Sequence, residues 1–413
     1  MLQWFRIAKI GQLHVGYQHL FGIALIIFSP LIISKVPKNN ETIILVFVGF
    51  LYIVFGMGPT LFLDIPFYSL SAVIRQVVYF LISVVIIIFI ASAKDELLKK
   101  LSYLGPMSAG VFLIGFSYSL GKTNVDIIST IATALTTANP NILIFRMFGV
   151  VMSTEQGGVI EDVQANLRHG ISEAILVSSV ISFAYAKTFI VNRRHLFFIN
   201  AGIFFNVLIL MLCLSRSVLL ASFFCFFILY FHTSSYSKNH NFLYKYAIYC
   251  LIPMGVAAFL MTSGVWDIIA NRFFSTEQSG SYLARFDILR QTFKHIGTSV
   301  LIPSSIQSLN ISSPHNIMLS NWLASGLLGF LISIIFFATI GIAMAVRILN
   351  IFKTKPNAMQ AAYVGSIALL SLPLIRAITA GAGLSASSWA AIGLGFGIIA
   401  RHQKRKYQIN SHH

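Results

Sequence analysis

Residues Ser312–Gly329 read SSPHNIMLSNWLASGLLG, and the reading of the whole chain turns on this stretch. It leaves a polar loop and enters an apolar run. Ser312 or Ser313 is suited to cap a helix, and Pro314 to the first helical position, where a missing N–H costs nothing. That reading puts His315 in the first turn, at the mouth of a membrane helix. The positive end of the helix dipole disfavours imidazolium there, and a neutral imidazole is what a general base requires. Position alone leaves a second reading open, in which His315 is only a polar residue at a membrane boundary.

The chain on either side is composed for a bilayer. Of its 413 residues, 57% are hydrophobic and only 10% are charged, where a soluble domain carries about 25%. The apolar runs are long and continuous rather than alternating, which specifies helices and not a barrel. Runs of spanning or near-spanning length begin near Gly16, Ile43, Val73, Leu101, Ile171, His195, Ser217, Leu243, Asn316, Met359 and Leu384. They predict an all-α, polytopic bundle of about eleven spans. A twelfth lies between Val125 and Met152, unless that Thr-rich stretch, broken by Pro140 and Arg146, is interfacial or re-entrant. Twelve is preferred, because Arg6 and Lys9 favour a cytoplasmic start. The expectation is a single integral membrane domain over residues 1–413, its first span a retained anchor rather than a cleaved leader. Within it lie an outer loop segment at 262–315 and a basic, disordered cytoplasmic tail at 401–413.

The formal net charge is +17. Its basic residues sit in short loops between spans, where they orient a membrane protein, and no interleaved arginine–aromatic surface marks a nucleic-acid binder. Loops 187–194, 233–245 and 347–357 and the tail hold most of the lysine and arginine of the second half. The positive-inside rule therefore puts them in the cytoplasm and places 146–170, 263–315 and 376–383 outside. The first half gives no clear bias. Cys213, Cys225 and Cys250 lack metal-ligand spacing and imply no disulfide framework. Walker and dinucleotide motifs are absent, and no outward acidic pair stands where a metal–nucleotide-sugar site would need one. The sequence therefore calls for no metal and no cofactor.

What remains for chemistry is arginine and histidine. Arg216 sits in LMLCLSRSVLLASFF, where only a helical hairpin or a break fits between two apolar runs. An arginine so near hydrocarbon is costly unless it is paired or faces a polar cavity. No Asp or Glu occurs after Asp287. An arginine without a carboxylate partner suits an anionic ligand, and phosphate matches its fork; the alternative is snorkelling to lipid head groups. The segment SGSYLARFDILRQTFKHIG reads as an amphipathic helix with Leu283, Phe286, Leu289 and Phe293 on one face. Arg285 lies on it, and Arg290 is placed to pair with Asp287 at i,i+3. Arg272 is a weaker candidate for lipid or phosphate contact. Arg168 and His169, in NLRHGIS, either line the same cavity or anchor a helix end through Glu173 at i,i+4. Arg376, flanked by small residues in LIRAITAGAGLS, is one more outer arginine.

A His-Asn pair, His315-Asn316, followed by an apolar segment with Gly326 and Gly329, resembles the shared C-terminal region of bacterial O-antigen ligases and O-antigen polymerases. Ser-Arg-Ser around Arg216, and Arg285 upstream of His315, resemble the arginine positions of the same family. The three stretches lie within Asn200 to Phe330, and the N-terminal half resembles no family. The resemblance implies a multi-spanning inner-membrane glycosyltransferase that takes an undecaprenyl-pyrophosphate-linked glycan from the outer leaflet. It implies a catalytic set of His315, Arg216 and Arg285, with Asn316, Arg168, His169, Arg290, Arg272 and Arg376 as substrate-binding candidates. His315 would take a proton from the acceptor hydroxyl, and arginines would stabilise the leaving pyrophosphate, all in one cavity open to the periplasm. A polymerase would take a second lipid-linked repeat as acceptor and work with a chain-length regulator. A ligase would take lipid A-core. The expectation leans to the polymerase, because the histidine-bearing segment is compact. A transporter or flippase of lipid-linked sugars is the alternative of another class; it should show two related halves and polar residues deep in several helices, neither of which is evident.

Overall fold

The computed structural model describes residues 6–10, 13–16, 24–62, 68–123, 126–136, 160–190, 192–213, 215–234, 279–298, 300–301, 316–353, 360–380 and 383–410. Among them, six helices are long and apolar enough to cross a membrane: Asn40–Phe62, Leu70–Ser92, His169–Phe189, Arg193–Leu210, Ile317–Ile351 and Ala361–Thr379. The chain is a helical membrane protein. Twelve spans were expected; six helices of that length and composition are found among the described residues. The run near Leu243 lies outside them. The all-α expectation meets one exception, a short antiparallel hairpin of Arg6–Ile10 with Leu13–Gly16. The basic tail is also more regular than expected, since the Ala386–Asn410 helix continues into it.

The contacts divide the chain into two compact units. The first comprises residues 1–94, 287–347 and 369–413. Its helices start where their sequences say they should: Asn39 caps the Asn40–Gly56 helix by accepting from Thr42 N, and Ser69 caps Leu70–Ser92 through Ala72 N. The Leu70–Ser92 and Ala386–Asn410 helices pack closely because glycine lets them. A Cβ at Gly393 would stand 2.7 Å from the Ser83 carbonyl oxygen, and one at Gly397 2.8 Å from Ile90 Cβ. Two glycines four residues apart present one flat face, the small-xxx-small arrangement of membrane helix pairs. Tyr52, Phe336 and Trp389 form an aromatic core. Tyr52 stacks on Phe336 at 4.6 Å, and the Trp389 ring lies 5.4 Å from Phe336.

The two ends of this unit make different contacts. At one end Arg347 pairs with Glu41, and Arg401 donates to the carbonyls of Ile90 and Ala93. Lys35, Lys38 and Lys94 belong to that same end by chain position. At the other end lie the turn around Gly56, the start of the Leu70–Ser92 helix and the loop before Ala386. There Gln76 Nε2 donates to Leu384 O at 2.7 Å, and Trp389 Nε1 donates to Gln76 Oε1 at 2.9 Å. Gly383 adopts φ +87°, and a Cβ there would meet Gln76 Nε2 at 2.9 Å.

The second unit comprises residues 95–286 and 348–368. The Ile160–Phe189 helix is central to it, packed by Leu104–Thr123, Arg193–Cys213, Arg216–Ser234 and Ala361–Ala368. Small residues again set the approach. A Cβ at Gly365 would lie 2.4 Å from Ala184 Cβ, and one at Gly202 2.6 Å from Pro106 Cα. Buried hydroxyls and amides cross between helices: Asn206 Nδ2 donates to Gly105 O and Ser108 Oγ, each at 3.0 Å, and Ser178 Oγ donates to Ser108 Oγ at 2.8 Å. In hydrocarbon such groups need protein partners, because no water competes for them.

Replacing Gly393 by Val forces the Ser83 backbone away. We expect a thermal midpoint in detergent lower by several degrees, or loss of the folded monomer. A Gly110→Ala control, where a Cβ would meet nothing within 4 Å, should lie within about a degree or two of the parent.

Candidate functional site

The segment carrying the His-Asn pair is not the straight membrane helix its sequence predicts. It is helical from Ile317 to Lys353 but broken at Gly326, where φ is +66° and ψ is −162°. A straight helix of 37 residues would be about 55 Å long, far beyond the ~30 Å of a bilayer core. The break instead folds the short piece Ile317–Ser325 against the start of the long one. The Trp322 and Phe330 rings approach to 4.3 Å, and Asn321 Nδ2 donates to Ser333 Oγ at 2.8 Å. Residues eight and twelve apart would be separated by about 12 and 18 Å along an unbroken helix.

Both glycines of the family-like segment have structural work here. Gly326 holds a left-handed φ that a side chain disfavours. A Cβ at Gly329 would lie 2.6 Å from Asn321 O and 2.6 Å from Ser325 Cβ. The groups freed by the break find partners: Leu327 N donates to Val300 O at 3.2 Å, and Trp322 Nε1 reaches the same carbonyl at 3.1 Å.

The start of this helix corrects the reading of its cap. Asn316 is the capping residue, its Oδ1 accepting from Leu319 N at 3.1 Å, and the helix begins at Ile317. The cap expected at Ser312 or Ser313 would have begun the helix sooner, with His315 in its first turn. His315 therefore precedes the cap in sequence. Asn316 already has one use for its side-chain oxygen. His315 itself and Arg272 lie outside the described residues.

The Ser279–Thr298 helix exists as expected, but its buried face differs. Leu289, Thr292 and Ile296 turn inward, and Ile296 packs with Leu319 and Leu323. Phe293, placed on the buried stripe by sequence, is 56% exposed. A polar Thr292 on the inner face is what hid the register; its hydroxyl is satisfied by Ile288 O at 2.7 Å. Asp287 and Arg290 are both exposed and form no ion pair with each other, contrary to expectation. Arg285 is on this helix, and its side chain is not among those described. His295, one turn beyond Arg290, was passed over in the sequence. Partial burial pushes its pKa below the ordinary value.

In the second unit the structure brings together two stretches far apart in sequence. His169 Nδ1 and Ser215 Oγ are 2.7 Å apart. Ser215 is buried and its carbonyl accepts from Leu219 N, so it opens the helix whose first residue is Arg216. A hairpin or a break was expected around Arg216, and the helices are interrupted there: one ends at Cys213 and the next starts at Arg216. His169 is thus joined to the residue preceding Arg216, and Arg168 precedes it on the Ile160–Phe189 helix. The side chains of Arg168 and Arg216 are not among those described. Arg376 is half-buried near the end of the Ser371–Thr379 helix, in the first unit. Among the described residues no cluster of His, Cys, Asp or Glu could hold a metal ion.

The described residues define a helical membrane protein in which the helix after Asn316 is broken at Gly326 and the helix start at Arg216 is tied to His169 through Ser215. Compared with protein-family models, with curated proteins and with solved structures, the chain gives no match.

The His169–Ser215 bond predicts a coupled pair. His169→Ala and Ser215→Ala should each lower stability by about 1 kcal/mol. The double variant should cost little more than either alone, which thermal unfolding of the purified protein would measure.

Proposed function

We propose that the chain is a metal-independent membrane glycosyltransferase, transferring a glycan from a lipid pyrophosphate to a sugar acceptor at the outer face of the membrane. The reading rests on the break at Gly326, which ends the short helical piece Ile317–Ser325 that the His315-Asn316 pair precedes in sequence. Discontinuous helices are tolerated in membranes where they are buried in protein or line a polar cavity, and they form substrate sites in many membrane proteins.

In this proposal His315 removes the proton from the attacking hydroxyl, a new glycosidic bond forms, and the bond to pyrophosphate breaks with its electron pair leaving on oxygen. Arg216 and Arg285 stabilise the charge that collects there. The reactive leaving group makes an activating nucleotide unnecessary. The strongly basic end of the first unit faces the cytoplasm by the positive-inside rule, which puts the Gly326 break toward the opposite face. The polymerase reading, with a second lipid-linked repeat as acceptor, is preferred to the ligase reading.

In a strain deleted for the gene, His315→Ala and Arg216→Ala should each fail to restore the lipopolysaccharide ladder while inserting at parental levels. A retained single repeat marks a polymerase, and bare core marks a ligase. Normal banding with either variant would refute the assignment.

A further inference from the structure

We propose that Asn321 is a positioning residue: it fixes the angle of the Ile317–Ser325 piece and thereby sets the His315-Asn316 end for reaction. This rests on the function proposed above. Asn321 is fully buried, about one and a half turns from the Asn316 cap. Its Oδ1 accepts from the Tyr68 hydroxyl at 3.0 Å, and its Nδ2 donates to Ser333 Oγ at 2.8 Å. The amide orientation follows from the neighbours. Ser333 Oγ donates its own proton to Gly329 O at 2.7 Å, so toward Asn321 it can only accept. The NH₂ must therefore face Ser333, and the carbonyl oxygen must face Tyr68.

One side chain thus joins three stretches: Tyr68 before the Leu70–Ser92 helix, the short piece, and the long piece beyond the break. A second bond, Ser325 Oγ to Gly56 O at 2.8 Å, holds the other end of the short piece. Gly56 is itself fitted to this contact, since a Cβ there would lie 3.2 Å from Asn321 Nδ2. Apolar packing alone lets a short helix slide or tilt, because one hydrocarbon surface is nearly as good as the next. A buried amide with its donor and acceptor both committed permits one arrangement only. The short piece needs such a fixing because Gly326 leaves it without a continuous helix to hold its direction.

The test is turnover of the purified, reconstituted full-length protein on a lipid-pyrophosphate-linked repeat unit, with thermal midpoint measured in parallel. Tyr68→Phe and Ser333→Ala each remove one bond and keep the packing. Each should lower kcat at least five-fold with KM for the donor changed less than two-fold. The double variant should lose more than either single but less than the product of the two losses, because both act through one amide. Asn321→Leu, which keeps the volume, should lose activity at least a hundred-fold, and Asn321→Asp should restore part of it. Should Asn321→Leu fail to fold, the two milder variants decide. Unchanged kcat in both, or losses that multiply in the double variant, overturns the positioning role. His315→Ala separates the two levels: if it is inactive while the network variants are fully active, the glycosyltransferase reading stands and the role of Asn321 fails. If His315→Ala is fully active, the functional reading itself fails.

Discussion

A backbone broken inside a membrane must find partners for the groups it exposes. That requirement organises the region around Gly326. Each orphaned buried N–H or C=O costs about 1–3 kcal/mol, and no water is at hand in hydrocarbon to offset it. The chain meets the requirement locally. Val300 supplies a carbonyl to both Leu327 N and the Trp322 indole, and Ser325 ties to Gly56. Asn321 bridges from Tyr68 to Ser333. The polar residues of an otherwise apolar segment are thus concentrated where the helix fails.

Within the first unit, charge and packing agree on direction. The Arg347–Glu41 pair and the contacts of Arg401 gather basic side chains at one end. The glycine-lined contact between the Leu70–Ser92 and Ala386–Asn410 helices carries that end through to the other, where Gln76, Trp389 and the Gly383 turn close the bundle. In the second unit, inter-helical hydroxyls and amides take the place of charge. Asn206, Ser108 and Ser178 hold the helices in register.

Much of this was legible in the sequence, and the failures are instructive. Helix positions followed from apolar runs, because a membrane span is a composition before it is a structure. The turn at Arg216 was legible because two apolar runs leave no room for more. The helix start was expected at Ser312–Pro314, since Ser-Ser-Pro is a strong capping signal on paper, whereas the described helix begins at Ile317 with Asn316 as its cap. The break at Gly326 was not legible at all: glycine in a membrane helix more often marks close packing than a reversal, as Gly393 and Gly397 do here. Nor was the buried face of the Ser279–Thr298 helix, where Thr292 takes an inner position that periodicity would give to an apolar residue. The joining of His169 to Ser215 is a contact across 46 positions, and no local pattern encodes it.

The central claim is that the chain bends sharply at Gly326. It can be tested by cross-linking a Trp322→Cys, Phe330→Cys pair with a short thiol-specific bifunctional reagent in a background lacking Cys213, Cys225 and Cys250. The rings are 4.3 Å apart in the bent segment, so the pair should be bridged in high yield, whereas a continuous helix would hold the two positions about 12 Å apart. No cross-link, with both thiols still titratable in the denatured protein, would mean a continuous helix and would contradict the account.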